Sequence, residues 1–492
     1  MRITEHPVLE FHRGKKVRFY FNNKEFYGYE GETISSALVA NGVTTLSRSL
    51  KYNNPRGFFC GIGKCASCLM TVNGIPNVRT CIAPLQEGIQ VTMQDGYAEL
   101  QEIVYRKRKK KTMETEILVI GGGPAGLSAA LKGAENGAKV LIVDENPELG
   151  GQLIKQTHKF FGSKEEQAGT RGIEIAQQLK REVENHENIE VLLQSTVFGY
   201  YECKCNHCFG VVRRNKDYSE ELYEVYCKTA VFACGAMENM LAFPRNDLPG
   251  VYGAGAVQTL MNVYGVKPGK RVLMVGSGNV GLIVSYQLLQ ADVDVACIVE
   301  ALPTISGYHV HAAKVRRCNV PILTSHTITE AHGKERVDGA TIAQLDHSWR
   351  ILPETKQRID CDTICLAVGL TPSIRLLSQT GVEIRFIPEA CGYVALHNAF
   401  METTVEGIYV AGDGSGVEEA STAMLEGCIA GVAAAHRVKN REVDNRVIKP
   451  YQKELERLRA GPFGERGRKA KESIALEWRR HEGLRTNRSD IN

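Results

Sequence analysis

Apolar and polar residues alternate at Lys16–Phe21 (KVRFYF) and again at 25–29, a period of two that predicts a pair of strands. A helical spacing follows at 33–41, behind Glu30-Gly31-Glu32, and Val72-Asn73-Gly74-Ile75 predicts a hairpin turn. At Thr115 the texture changes. An apolar strand (EILVI, 116–120) runs into a glycine-rich turn, an alanine-rich helix ending near Gly137 and a second apolar strand at 139–143. The same succession returns at 270–300, so two related α/β units are expected, their first strands about 155 residues apart. Beyond about His436 the chain turns charged, with 16 Lys plus Arg against 9 Asp plus Glu. Such a tail is expected on the surface or on a partner.

These patterns predict a small α+β domain over 1–105, a basic linker over 106–113 carrying the run Arg106-Lys-Arg-Lys-Lys-Lys111, and an α/β region beyond it. Within that region 114–265 forms the first part of one unit, 266–372 a second unit inserted into it, and 373–436 the return to the first. The tail occupies 437–492. A chain of 492 residues suits three domains at roughly 150 residues each.

With 43% hydrophobic and 24% charged residues and a mean hydropathy of −0.20, the composition is that of a chain that folds throughout. A net charge of +4 is too even for nucleic-acid binding through a global positive field. No stretch approaches the ~20 apolar residues of a membrane span, and residues 1–14 lack a secretory apolar core, so a cytoplasmic protein is expected. In that compartment fifteen cysteines point to metal ligands and buried thiols rather than disulfides.

Four of them, Cys60, Cys65, Cys68 and Cys81, are spaced C-x4-C-x2-C-x12-C within FFCGIGKCASCLMTVNGIPNVRTC. Three thiolates from one tight loop and a fourth from a later strand can surround two irons, and Gly61 and Gly63 let backbone amides approach the cluster. The first three positions match plant-type [2Fe-2S] spacing. Zinc also takes four cysteines, but usually through paired short knuckles rather than one x4-x2 loop.

The turn after the 116–120 strand reads Gly121-Gly-Gly123-Pro124-Ala125-Gly126, a G-x-G-x-x-G motif between strand and helix that suits a dinucleotide pyrophosphate. Asp144, eighteen residues after Gly126, ends the next strand, where a carboxylate can accept ribose hydroxyls, with Glu145 beside it as the reserve choice. The second unit repeats the pattern as Gly276-Ser-Gly278-Asn279-Val280-Gly281, followed nineteen residues later by Glu300. A carboxylate there repels a 2′-phosphate, and Ala301-Leu302-Pro303 offers no arginine, so NAD(H) is favoured over its phosphorylated form. The alternative is a nucleotide site that is filled but inert.

No Ser-His-Asp pattern, H-E-x-x-H or P-loop appears, and no catalytic side chain is assigned. Gly150-Gly-Gln-Leu-Ile lacks a redox cysteine and Cys297 stands alone, which argues against thiol chemistry. Cys203, Cys205, Cys208 and Cys227 gather at an expected hairpin tip, either as metal or redox ligands or as free turn thiols. Cys234, Cys318, Cys361, Cys365, Cys391 and Cys428 read as small buried fillers.

The cysteine segment resembles the β-grasp ferredoxin domains of molybdenum hydroxylases and of some amine dehydrogenase subunits. The region from 114 to 436 resembles flavoproteins with two dinucleotide-binding domains, through Gly150-Gly151-Gln152, TAVFACGA at 229–236 and GIYVAGD at 407–413. That resemblance implies FAD in the first unit, with Val197, Ala233, Gly235, Gly369 and Gly412 among the cofactor contacts. It also implies that Asp413 lies at the ribityl-pyrophosphate region and that Ala420-Ser421-Thr422 opens a helix whose N-terminus faces the flavin. The domain order, with RGFFCGIGKC, LPGVYGAGAVQT and GDGSGVEEASTAMLEG, resembles the α subunits of heteromeric amine or imino-acid dehydrogenases, among them proline and hydroxyproline dehydrogenases, opine oxidase and sarcosine oxidase. This likeness covers about 15–436 and implies a flavoprotein β subunit that oxidises the amine, in some members an FMN at the subunit boundary and small ferredoxin-like subunits. The chain then carries electrons between NAD(H), FAD and the cluster. The alternative is a non-catalytic electron-transfer and assembly subunit.

Overall fold

The computed structural model describes residues 1–94, 96–97, 110–160, 167–203, 207–216 and 218–489. The strands Lys16–Phe21 and Lys24–Tyr29 form an antiparallel pair turned by Asn22 and Asn23, both at positive φ. Helix α1 (Ile34–Ala40) follows, its first amides satisfied by a reciprocal Thr33–Ser36 cap. Strands Leu69–Val72 and Ile75–Arg79 make the expected hairpin, with Asn73 and Gly74 at positive φ. Strand Gln90–Met93 then inserts beside Lys16–Phe21 in parallel, giving a five-stranded sheet with α1 against it. This is a β-grasp arrangement.

The next sheet starts at Lys111–Ile120, so the expected linker already forms strand at Lys111, where Lys110 and Lys111 pair with Glu224 and Glu221. The rest of the basic run, 106–109, lies outside the described residues. Helix α2 (Pro124–Glu135), strand Val140–Val143 and helix α3 (Gly172–Glu184) continue a parallel α/β layer. An antiparallel meander, Ser195–Glu202, His207–Arg214 and Glu220–Phe232, completes the sheet.

The chain then enters a second sheet of five parallel strands, in the order Val251–Gly253, Thr363–Leu366, Arg271–Val275, Asp294–Glu300 and Ile322–Thr324. Its helices are α4 (Ala254–Gln258), α5 (Asn279–Gln290) and α6 (His309–Arg317). The boundary expected at 265/266 therefore falls at 237/238. The three-residue strand Val251–Gly253 hydrogen-bonds to Thr363–Leu366, which draws 238–265 into this sheet. The return segment adds Ile408–Val410 parallel to Glu220–Phe232, then helices α7 (Ala420–Val438), α8 (Asn445–Leu458) and α9 (Gly461–Ser489).

Two compact units result. One contains 1–105 and 238–369, the other 106–237 and 370–492. In the first, the cysteine loop and the five-stranded parallel sheet share a core: Phe59 and Cys60 are buried with Leu273, Val275, Ile364 and Leu366. In the second, α7 lies against α2 closely enough that a side chain at Gly427 or Gly431 would strike the carbonyl of Ala125 or Ala129. The tail does not lie loose on the surface. Ile448 and Leu455 of α8 enter the α2–α7 core, and Ala470 and Ile474 of α9 bury against Ile387, Val394 and Leu396. The apolar faces of both helices outweigh the charge that suggested solvent.

Candidate functional site

Gly61, Gly63 and Ala66, all at positive φ, curl the chain between Cys60 and Cys68 into a tight loop. Strand Ile75–Arg79 then delivers Cys81. Cys60, Cys68 and Cys81 are buried and Cys65 is half-buried. The amide of Gly63 donates to Cys81 Sγ at 3.3 Å and that of Lys64 to Cys60 Sγ at 3.4 Å. The thiols neighbour one another in a row, Cys65 beside Cys60, Cys60 beside Cys81 and Cys81 beside Cys68: hydrogen bonds from Cys65 and Cys81 draw the Cys60 thiol down to about 2, while Cys65 rises by donating to it. Cys68 is likewise drawn down by its bond with Cys81. Among the described residues no group of three or more His, Cys, Asp or Glu side chains is arranged around a single metal ion. A cluster of two irons spreads four thiolates over both metals, and four neighbouring sulfurs, two of them accepting backbone amides, fit that donor set.

In the other unit, strand Lys111–Ile120 ends in Gly121, whose φ of +108° and closeness to the Ala233 carbonyl admit no side chain. Gly126 presses on the Gly121 carbonyl, which sets α2 against the strand. Pro124 and Ala125 form the first turn of α2, and its N-cap Gly123 offers no side chain, so the first amides stay available to an anion. Gly150 donates to the Gly122 carbonyl at 2.8 Å and Gly151 packs on Gly123, bringing the turn that carries Gln152 to the same loop. Asp144 is buried. Its Oδ2 accepts from the Gly122 amide at 2.5 Å and its Oδ1 from the backbone and side chain of Asn146 at 2.7 and 2.8 Å. Counting two lone pairs per oxygen, Oδ2 retains one acceptor site. Burial raises the Asp144 carboxyl above its usual range. Glu145, next in the chain, is half-buried, and Val197 sits two residues beyond Ser195, whose amide donates to the Asp144 carbonyl at 2.9 Å.

Three parallel strands end together on this side: the residues after Ile120, Phe232 and Val410 are Gly121, Ala233 and Ala411. Gly235 follows Ala233 at positive φ, and Gly412, also at positive φ, abuts Ala125. The half-buried Asp413 carboxyl is pushed up to about 7 by loss of solvent. Ala420, Ser421 and Thr422 open α7, whose N-cap Glu419 gives no side-chain bond to the first turn. This is the crevice at the carboxyl ends of the strands where open α/β sheets take dinucleotides.

The second fingerprint repeats the backbone plan of the first. Gly276 (φ +106°) lies against the Ala367 carbonyl and Gly281 against that of Gly276. Gly278 is the N-cap of α5, with Asn279 and Val280 in its first turn. Glu300 Oε2 accepts from the amide and hydroxyl of Ser277 at 2.9 and 2.6 Å and from Ser306 Oγ at 2.9 Å, and Oε1 accepts from the Leu302 amide at 3.0 Å. Burial opposes its ionisation, but the bonds from Ser277, Leu302 and Ser306 hold the carboxyl below its usual range. Gly369, at positive φ, closes the last strand and accepts from the Asn239 amide at 3.0 Å.

The remaining cysteines divide. Cys203 is exposed beside the hairpin tip, Cys208 is buried on its second strand, Cys227 is buried on the neighbouring strand Glu220–Phe232, and Cys205 lies outside the described residues. Cys361 and Cys365 are buried, whereas Cys234, Cys391 and Cys428 are half-buried and Cys318, at the end of α6, is exposed; these four are not buried fillers. Cys297 does not stand alone, because Cys361 lies near it. Burial raises both thiols, to about 11 and about 12, too high for thiolate chemistry near neutrality.

Sequence reasoning missed Glu418, Glu426, Arg459 and Lys471. Glu426 is buried, with Oε2 accepting from the Gly412 amide at 3.0 Å and Ser415 Oγ at 2.6 Å. Its Oε1 meets Arg459 Nη2 at 2.6 Å and Lys471 Nζ at 2.7 Å, cations that draw the carboxyl down to about 2 against the cost of burial. The pattern E-x7-E in GVEEASTAMLEG carried no signal for these partners, which lie more than thirty residues away.

The chain belongs to the pyridine nucleotide-disulphide oxidoreductase family, whose model matches residues 115–427. A 2Fe-2S iron-sulfur cluster binding domain matches residues 14–96. Together the two matches imply FAD, NAD(H) and a [2Fe-2S] cluster in a flavin-dependent oxidoreductase. Among curated proteins, the alpha subunit of sarcosine oxidase from Rhizobium meliloti (strain 1021) is 27% identical over 88% of this chain and 46% of its own length. An opine oxidase subunit from Rhizobium meliloti is 27% identical over 65% of this chain and 62% of its own length. Both are named as subunits. The chain spans less than half the length of the sarcosine oxidase subunits it matches. Among solved structures, the L-proline dehydrogenase from P. horikoshii has the same fold, with a TM-score of 0.70 at 24% identity over 92% of this chain and 79% of the other. No helix among the described residues is long and apolar enough to cross a membrane.

Proposed function

We propose that this chain is the electron-carrying subunit of a heteromeric amine or imino-acid dehydrogenase, acting in the cytoplasm. The observation that carries the reading is the presence in one chain of a ferredoxin-type cysteine set and two dinucleotide fingerprints, the combination matched along 88% of the chain by a protein named as the alpha subunit of sarcosine oxidase. A second, flavin-bearing subunit would oxidise the amine, in some assemblies with FMN at the boundary. Bound FAD supplies the step between two-electron and one-electron traffic that neither a nicotinamide nor a two-iron cluster makes alone.

This chain's own residues bind and orient. The α2 amides behind Gly123 hold the pyrophosphate of FAD, Asp144 with Glu145 holds its ribose, and Asp413 with the α7 N-terminus receives the rest of the cofactor. Gly276, Gly278, Gly281 and Glu300 hold NAD(H), and Glu300 disfavours a 2′-phosphate. Cys60, Cys65, Cys68 and Cys81 ligate the cluster. Hydride transfer needs proximity and a dry site rather than a side-chain acid or base. The test is an anaerobic absorbance titration of the purified chain with NADH, then with NADPH, after its FAD, iron and sulfide have been counted. The expected result is bleaching of the flavin band followed by the cluster band, with NADH effective at lower concentration. Bound FAD and two irons with no bleaching would overturn the NADH-to-flavin path and put electron entry at the partner.

A further inference from the structure

Four residues of the C-terminal region, Arg459, Arg466, Gly467 and Lys471, contact the chain around the start of α7, and all their contacts converge on residues 412–426. Arg459 forks across both oxygens of Glu418 at 2.8 and 2.9 Å and reaches Glu426 at 2.6 Å. Lys471 meets Glu426 at 2.7 Å and donates to the carbonyl and hydroxyl of Ser415 at 2.8 and 2.7 Å. Arg466 donates to the Val417 carbonyl at 3.2 Å, and Gly467 lets α9 lie directly on the Glu418 carboxylate. The four charged groups are almost fully covered, with side-chain exposures of 13% for each cation and 11% and 2% for Glu418 and Glu426. His397, buried beside them, is held neutral by burial and by Lys471.

Buried charges of this kind rarely repay their own desolvation, so they speak for geometric specification more than for stability. What they specify is local. Through Glu426 the cations fix the Gly412 amide and Ser415 hydroxyl, and through Glu418 they fix the residue whose amide bonds Asp413. Because Gly412 abuts Ala125 in the first turn of α2, the held segment lies at the fingerprint itself.

We infer that α8 and α9 are a latch on the flavin site, in which Arg459 and Lys471 act as positioning residues that hold the Gly412–Ser415 turn and the start of α7 in the shape that retains FAD. The inference rests on the reading of this unit as the FAD site. Retention and tail order are then linked in both directions: loosening the tail speeds FAD loss, and removing FAD loosens the tail.

The test uses the full chain. FAD release is followed by the rise of free-flavin fluorescence on dilution, for wild type, Arg459→Met, Lys471→Met and the conservative Lys471→Arg. Each methionine variant is expected to release FAD at least tenfold faster, Lys471→Arg to recover to within threefold of wild type, and the iron content of the other unit to stay unchanged. Hydrogen exchange on the wild-type chain, with and without FAD, tests the same link without a mutation and covers the case of a variant that fails to fold. The helix 461–482 is expected to exchange faster once FAD is stripped. Release at the wild-type rate in both methionine variants, or exchange in 461–482 indifferent to FAD, overturns the latch alone. A wild-type chain that binds no FAD overturns the flavin reading and the latch with it.

Discussion

The two dinucleotide fingerprints of this chain are built alike and supported differently. In each, the first glycine donates to the end of the next strand, Gly121 to Val143 and Gly276 to Val299, at 2.9 and 2.8 Å. In each, an alanine of a parallel strand donates to the residue just before the loop, Ala233 to Ile120 and Ala367 to Val275. In each, a carboxylate accepts the amide of the second position, Asp144 from Gly122 and Glu300 from Ser277. The supports diverge from there. The first fingerprint has α7 pressed along its helix and a buried ion cluster beyond it. The second is tied by side chains that any local loop could offer, with Ser306 on Glu300 and Asn279 on the Tyr308 amide. A motif thus fixes how a pyrophosphate is met, while distant packing decides how firmly the meeting place is held.

The largest test of this pairing exchanges a glycine for a β-branched residue in each unit. Gly126→Val drives a side chain into the Gly121 carbonyl, and Gly281→Val does the same at Gly276. Backbone has little room to yield, and such overpacking costs about 1–3 kcal/mol or more before any ligand is considered. The first variant is expected to lose FAD on gel filtration and the second to keep FAD but lose NADH binding by calorimetry. Loss of both ligands in either variant would break the comparison, since the loops would then not be independent.

A second test separates the units by pH. Burial raises Asp413 from an ordinary 3.8 to about 7, so the folded state favours the protonated carboxyl. That contribution is complete below pH 4 and is lost as pH rises through 7, a difference of about 4 kcal/mol at about 1.4 kcal/mol per unit. In FAD-stripped protein, the stability gap between Asp413→Asn and wild type should widen from pH 4 to 8 in the flavin unit's denaturation transition. A constant gap would remove Asp413 from the account.

Smallest is the effect of Glu300→Ala. A hydrogen bond to a charged group contributes about 1.5–3 kcal/mol, so NADH affinity should fall roughly ten- to hundredfold while FAD content and iron stay at wild-type levels. Unchanged NADH affinity would mean that Glu300 serves only Ser277, Leu302 and Ser306.

What could be read in advance follows from how local each requirement is. The cysteine spacing, the two glycine fingerprints and the Asn73-Gly74 turn were legible because each is a short-range demand on backbone or donor geometry. The 237/238 boundary was not, because the strand that decides it, Val251–Gly253, is too short to show a period of two and is recruited by a partner more than a hundred residues on. The tail misled for a different reason. Arg459 and Lys471 carry the signature of solvent, and only pairing with Glu418 and Glu426 makes them interior. Likewise Asp144 and Glu300 were visible as strand-end acids, but their bonds to the glycine loops were not.

The core shared by Phe59 and Cys60 with Leu273, Val275, Ile364 and Leu366 bears on how the chain is made. A ribosome that adds ~5–20 residues per second needs about 15–60 s to pass from the cysteine loop to the strand that completes this core. Through that interval the loop's apolar flank has no partner, and the four thiols stand near a surface still awaiting its cover. Until the strand ending at Leu366 has been made, the flank that Phe59 and Cys60 turn toward this core stays uncovered.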